Sequence, residues 1–239
     1  MPTSDYGFTF NGHHSSEFGI KVLNTKSMTL PAKTKVTVQV PYASGLLDLS
    51  GAYGNNAFGE RSIVFPCEIK VGYNNMNMLY AKIEQIVNWL TSPTGKTKLV
   101  DDALPGFYYM AEVQNAPTIQ EKSVYSTISV EFTCYPYRFH EVSGNDIWDL
   151  FDFETDLAQE LSYAVSGVKN LPLINSGTTN VSLTVTCDSK LSVKIGNNDP
   201  TTFSPEDSEQ DEVELQPGIN IIRVVGNGNI AFSWVEEAI

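Results

Sequence analysis

The sequence predicts a mainly β protein: an N-terminal domain, residues 1–143, with one α-helix, followed by an antiparallel β-sandwich, residues 144–239. Most patterned stretches alternate apolar and polar residues, the period of a strand with one buried face. A single stretch, Leu79, Ile83, Ile86, Val87 and Leu90, keeps helical spacing instead. Charge divides the chain as well. Residues 1–143 hold eleven Lys or Arg against twelve Asp or Glu, whereas residues 144–239 hold four against sixteen, so nearly all of the net −13 follows residue 143. The step falls at Ser143-Gly144-Asn145, where turn-forming residues suit a boundary between two modules.

The elements follow in order. Phe8-Thr9-Phe10 reads as a short strand and Asn11-Gly12 as a turn, after which Phe18-Gly19-Ile20-Lys21-Val22 is expected to pair with it or pack close to it. In Lys35-Val36-Thr37-Val38-Gln39-Val40 the three valines share one face. From Tyr42 to Arg61 four glycines and polar turn residues interrupt small apolar clusters. That segment reads as a loop or an irregular hairpin arm, tipped by Gly51, Ala52, Tyr53, Gly54, Asn55 and Asn56, and it is either a contact for a partner or a surface loop. The helix is preceded by the capping candidates Asn74 and Asn75, stops at Ser92-Pro93, and should lie on a sheet. Trp89 near its end reads either as core packing or as an interface anchor. Ile128, Val130 and Phe132 alternate within Val124 to Phe132.

In the second module Val181, Leu183, Val185 and Cys187 alternate with polar neighbours, as do Leu191, Val193 and Ile195, and then Ile230, Phe232 and Trp234. Turns are expected at Asn197-Asn198-Asp199-Pro200, Pro217-Gly218 and Asn227-Gly228. Short strands at these spacings predict the antiparallel sandwich.

No chemistry assembles from the residue types. Cys67, Cys134 and Cys187 are odd in number and far apart, which fits reduced, buried thiols and neither a disulfide framework nor a zinc site. The start lacks a basic region followed by an apolar one, and no apolar run approaches the roughly 18 residues of a membrane span. With no basic patch, direct nucleic-acid binding is not expected. Gly95-Lys96-Thr97 has Leu90 where a phosphate-binding loop needs its first glycine, and it follows a helix. Asp152-Phe153-Glu154-Thr155-Asp156 begins with calcium-loop spacing, but Leu157 replaces the turn glycine and Tyr163 the final carboxylate. Lys96, Asp152 and Asp156 are therefore expected to be solvated. Asp146, Asp149, Asp152, Glu154 and Asp156, with the run Glu206 to Glu212, supply carboxylates for glycoside hydrolysis but no walled setting to split a pair of pKa values. His13, His14 and His140 read as turn or surface residues outside any serine or cysteine context. The chain is expected to be no enzyme and to carry no metal or cofactor.

Six segments then occur in a telling order. They are Phe8 to Val22; Pro41, Gly45 and Asp48 in P-x-x-x-G-x-x-D spacing; Phe58-Gly59-Glu60-Arg61-Ser62-Ile63; Asn88-Trp89-Leu90; Asp101 to Tyr109; and Val130 to Tyr137. Over roughly residues 8–140 the chain resembles the distal tail proteins of long, flexible-tailed phages. Leu215 to Trp234 resembles the last hairpin of galectin-like or carbohydrate-binding sandwiches. The first resemblance implies a structural hub in the virion tail, made in the host cytoplasm. It implies a homo-oligomer, a hexameric ring around an open centre, joining the tail tube protein to tail-tip, baseplate and receptor-binding proteins. A comparable arm in that family reaches the neighbouring subunit, which assigns the tip Gly51, Ala52, Tyr53, Gly54, Asn55 and Asn56 to the interface; Trp89 joins them as an interface candidate only in its anchor reading. The alternative is a carbohydrate-binding module contacting the host cell wall, with Trp234 as either sugar platform or core.

Overall fold

A computed structural model describes residues 6–42, 44–50, 57–70, 76–121, 125–142, 159–196, 198–205 and 213–239. The arm tip Gly51 to Asn56, the caps Asn74 and Asn75, the boundary at Ser143 to Asn145, the acidic residues Asp146 to Asp156, the turn residue Asn197 and the run Glu206 to Glu212 lie outside the described residues. The protein is mainly β with one α-helix. It divides into two compact units, Met1–Arg138 and Phe139–Ala238, each with its own apolar core.

The first unit comprises β1 (Phe8–Phe10), β2 (His13–His14), β3 (Ile20–Val22), β4 (Ser27–Met28), β5 (Thr37–Gln39), β6 (Leu46–Asp48), β7 (Arg61–Lys70), α1 (Met76–Thr91), β8 (Thr97–Asp101), β9 (Phe107–Glu112), β10 (Thr118–Glu121) and β11 (Tyr125–Val142). Its spine is the antiparallel pair β7 and β11, in register from Tyr125 opposite Lys70 to Cys134 opposite Arg61. Ile63, Phe65 and Cys67 face Phe132, Val130 and Ile128, so the period-2 pattern of both strands drives one buried face. On the other edge of β7, β3 pairs Ile69 to Cys67 and β4 pairs Val64 and Ile63. The break between them falls at Pro66, which has no N–H to give a second ladder; its carbonyl still accepts from the Leu23 N–H at 2.8 Å.

The first expected hairpin forms differently. β1 pairs β2 and β8, while the Ile20–Val22 run pairs β7. A 3-10 turn at Ser15–Phe18, closed by Gly19 at φ +67°, redirects the chain between the two runs. Phe8, Phe10, Ile20 and Val22 nevertheless meet in one core. Helix α1 buries Leu79, Ile86, Trp89 and Leu90 in the same core. Its last carbonyls are met locally: Thr91 Oγ1 donates to Val87 O at 2.8 Å and Ser92 Oγ to Trp89 O at 3.0 Å.

The second unit comprises β12 (Ser162–Asn175), β13 (Val181–Ser182), β14 (Thr184–Cys187), β15 (Leu191–Ile195), β16 (Thr201–Phe203), β17 (Glu214–Leu215) and β18 (Gly218–Ala238). β18 pairs β12 without a break from Ser162 opposite Ala231 to Asn175 opposite Gly218. Its other edge takes β15 at Ile222 to Val225 and β14 at Ile230 to Ser233. Asn227-Gly228, expected as a turn, therefore lies inside a strand. The glycines serve the crossing of the β14–β15 link: a Cβ on Gly226 would stand 2.5 Å from Leu191 Cδ2, and one on Gly228 would stand 1.8 Å from Ser189 Oγ. The link is pinned there by Asp188, which accepts from Asn229 N and Nδ2, both at 2.7 Å. The alternating residues named from sequence, Val181 to Cys187, Leu191, Val193, Ile230, Phe232 and Trp234, build this core.

Candidate assembly surface

The segment from Lys33 to Phe58 leaves the first unit's sheet as an arm. Its base is closed by a bridge between Lys33 and Phe58, with Thr34 N donating to Ala57 O and Gly59 N to Ala32 O, both at 2.8 Å. Farther out, β5 and β6 pair antiparallel, Val38 opposite Leu47. Leu49 N donates to Val36 O at 2.8 Å, which brings Val36 and Leu49 into the same phase. Val36, Val38, Val40, Leu47 and Leu49 share one side of this ribbon and are 41–51 % exposed. None of them belongs to either core. The valines do share a face, but that face is open. An isolated two-stranded ribbon is marginal alone, and a contiguous exposed apolar face of this kind marks a contact surface. Polar groups order the arm from within. Lys35 Nζ lies 2.6 Å from the Asp48 carboxylate, Ser50 N donates to Asp48 Oδ1 at 2.9 Å, and Ser50 Oγ accepts from Val36 N at 2.8 Å. The Lys35 ammonium, then Ser50, hold the Asp48 carboxyl well below the usual carboxylate range.

Trp89 lies away from such a surface. It is 6 % exposed, stacks on Phe18 at 4.2 Å and on Phe8 at 5.8 Å, and its Nε1–H donates to Phe10 O at 3.1 Å. That burial leaves almost no indole for a neighbouring subunit to grip. In the second unit Trp234 is also buried, which removes that ring as a sugar platform.

Three polar groups make contacts that the sequence alone does not show. His14 does have a serine context: its Nδ1 is 2.6 Å from Ser16 Oγ and its Nε2 is 3.0 Å from Asp102 Oδ2. The Ser16 amide also points at Nδ1, which makes Nδ1 the acceptor and Nε2–H the donor to Asp102. The three form a capping arrangement. His14 caps the 3-10 turn, Glu17 accepts from His14 N at 3.0 Å, and Asp102 accepts from Gly7 N at 2.9 Å, tying the start of the first unit to the link after β8. Ser16 is exposed, with no wall to shelter a reaction. Lys96 is bridged, 2.6 Å from Glu60 Oε1 and 2.9 Å from Glu112 Oε1, and these carboxylates, Glu60 first, push its pKa up. Arg61 is buried. It donates to Pro136 O, lies 5.4 Å from the Tyr109 ring centre, and its pKa is drawn down by burial. Its position was legible, because Arg61 stands in phase with Ile63, Phe65, Cys67 and Ile69. Among the described residues no group of His, Cys, Asp and Glu has the makings of a metal site, and no helix is long and apolar enough to cross a membrane.

Comparison with known proteins covers much of the first unit by sequence and nearly the whole chain by fold. The family model for the phage tail protein RIFT-related domain matches residues 16–134. Among solved structures, the Dit (gp 19.1) protein of SPP1 superposes with a TM-score of 0.65 over 98 % of this chain and 99 % of that one, at 11 % identity. That protein is described as a paradigm of the hub adsorption apparatus in phages that infect Gram-positive bacteria. No match was found among curated proteins.

Proposed function

The chain belongs, through residues 16–134, to the family of phage tail proteins with a RIFT-related domain, and from that premise we propose that it is the structural hub at the distal end of a phage tail. In this reading copies close head-to-tail into a ring, a hexamer, between the tail tube protein and the tail-tip, baseplate and receptor-binding proteins. Its work is assembly. A head-to-tail ring needs one face of each copy to complement a different face of the next. The single observation that supports this best is the ribbon of β5 and β6, whose face of Val36, Val38, Val40, Leu47 and Leu49 has no cover in its own unit. Laid on the neighbouring subunit, that face would be buried, and the tip Gly51 to Asn56 would extend the contact. The hub role of SPP1 Dit supports the same reading by likeness of fold.

The test is closure. The protein mixed with its tail-tip partner is examined by light scattering and electron microscopy, next to a Val38→Glu, Leu47→Glu double variant and a deletion of Gly51 to Asn56. Six-fold rings from the natural sequence, with both variants folded but open, are expected. Rings that close equally well without the apolar face, or one copy bound to one partner chain, refute the proposal.

A further inference from the structure

A second uncovered face lies on the β12, β18 and β15 sheet of the second unit. Ile222 and Val224 of β18 point into the core, so Ile219, Ile221, Arg223 and Val225 point outward. Register extends these into rows across the strands. Lys194, Arg223 and Asn170 form one row, Ser192, Val225 and Val168 the next, and Ile221 stands opposite Pro172. Ile219 is 71 % exposed, Val168 56 %, Ile221 55 % and Val225 40 %. Single exposed apolar residues are ordinary, but four on one face of a sheet form a patch.

The cation row is out of keeping with its module. Residues 144–239 hold only four Lys or Arg, and two of them, Lys194 and Arg223, are cross-strand neighbours here. Lys169, by contrast, is spent within the unit, 5.2 Å from the Tyr163 ring centre and 3.3 Å from Ala164 O. Among the described residues neither Lys194 nor Arg223 is in an ion pair. Like charges directly opposite each other destabilise a sheet, so the pair calls for an anionic group from elsewhere.

We propose that this face docks an extended segment of another tail component, in which an Asp or Glu is flanked at two-residue spacing by apolar side chains. The inference rests on the hub reading for the source of the partner. The order along β18, Val225, Arg223, Ile221, Ile219, is matched by apolar, acidic, apolar, apolar at every second residue of such a segment. Other occupants fit less well. A second copy meeting face to face would set Arg223 against Arg223 and bring together two modules of net −12. An anionic bilayer meets the same −12. A glycan finds no aromatic ring in these rows.

The probe is the fluorescein-labelled peptide Val-Thr-Glu-Thr-Val-Thr-Val, titrated against the full chain by anisotropy, with Lys in place of Glu as the control. The acidic peptide is expected to bind at least tenfold more tightly than the control. Arg223→Glu and Ile221→Lys should each weaken it tenfold or more with unchanged circular dichroism, and Arg223→Gln carries the same expectation more gently. A zero-length carbodiimide should link Lys194 to the peptide's glutamate. Equal affinity for both peptides, binding insensitive to Arg223→Glu or Arg223→Gln, or coupling of Lys194 instead to Glu206–Glu212 or to a second full-length chain overturns the proposal. Arg223-dependent binding to phosphatidylserine vesicles without peptide binding does the same. Ring formation, imaged after the tail-tip partner is added to the same protein, separates the two readings: rings without peptide binding sink the docking face alone, and peptide binding without rings in the partner's presence sinks the hub alone.

Discussion

Trp89 offers the sharpest test of how the first unit is held together. The indole lies between Phe8, Phe10 and Phe18, and its N–H meets the Phe10 carbonyl at 3.1 Å, so it joins α1 to β1 and to the 3-10 turn at once. Trp89→Ala removes the ring from a site that can collapse only partly and should cost about 3–5 kcal/mol. Trp89→Phe keeps much of the stacking but leaves the Phe10 carbonyl without this donor, at about 1–3 kcal/mol. With a urea slope of about 2 kcal/mol per molar, these become midpoint shifts of roughly 1.5–2.5 M and 0.5–1.5 M. Urea unfolding followed by far-UV circular dichroism reads both. Trp148 and Trp234 then supply the remaining fluorescence, and because Trp234 belongs to the second core, its transition should not move with these variants. A Trp89→Ala shift below about 0.5 M, or equal shifts for both variants, would refute this account of the helix as anchored through one aromatic stack.

Three further outcomes follow from the polar groups and thiols. Asp48, with its pKa depressed by Lys35 and Ser50, stabilises the arm above the ordinary carboxylate pKa of about 3.9, and the contribution is lost only as pH falls through the lower folded value. Methyl NMR signals of Val38 and Leu47 should therefore persist at about pH 4 and fade below it, and fading complete by that pH contradicts the assignment. Burial pushes the Cys67 and Cys134 thiols up to about 12, so iodoacetamide at mildly alkaline pH should leave both intact in the folded chain and reach Cys187 first; mass spectrometry showing Cys67 modified earlier overturns this. Lys96→Ala loses two partly exposed carboxylate contacts and should cost only about 0.5–1 kcal/mol with no effect on any nucleotide binding, whereas a loss above about 2 kcal/mol would mark a buried network.

The sequence carried three stretches of the second core, because Val181 to Cys187, Leu191 to Ile195 and Ile230 to Trp234 obey a period that only one buried face explains, but it did not mark β12, whose alternation breaks between Val165 and Leu171. It carried the helix through its period as well. Where it misled, the deciding forces were not periodic. Asn227-Gly228 has turn chemistry, yet Gly228 answers a close crossing by Ser189, a contact set by a link almost forty residues away. The Phe18 to Val22 run packs close to β1 in one core, one of its two expected outcomes, but the capped 3-10 turn and Gly19 give its ladder to β7. Val36, Val38 and Val40 show the limit most clearly, since alternation announces that they share a face and is silent on what covers it. Likewise Ser16 stands two residues from His14, but Asp102 completes that set only through the pairing of β1 with β8.

The single long strand β18 has a consequence for how the chain is made. β12 has its whole ladder with β18, and during synthesis it emerges first and must wait while everything from Ser176 to Pro217 follows. β14 and β15 wait for the same strand. The second unit thus completes late and all together, from contacts distant in sequence, which makes for slow folding. Until then the growing polypeptide displays an unpaired fourteen-residue strand, the kind of edge that joins with a neighbouring nascent chain. A premature stop within β18 would withdraw its partners' common support in one stroke, so truncations there should yield insoluble chains even when the first unit, already synthesised, has folded.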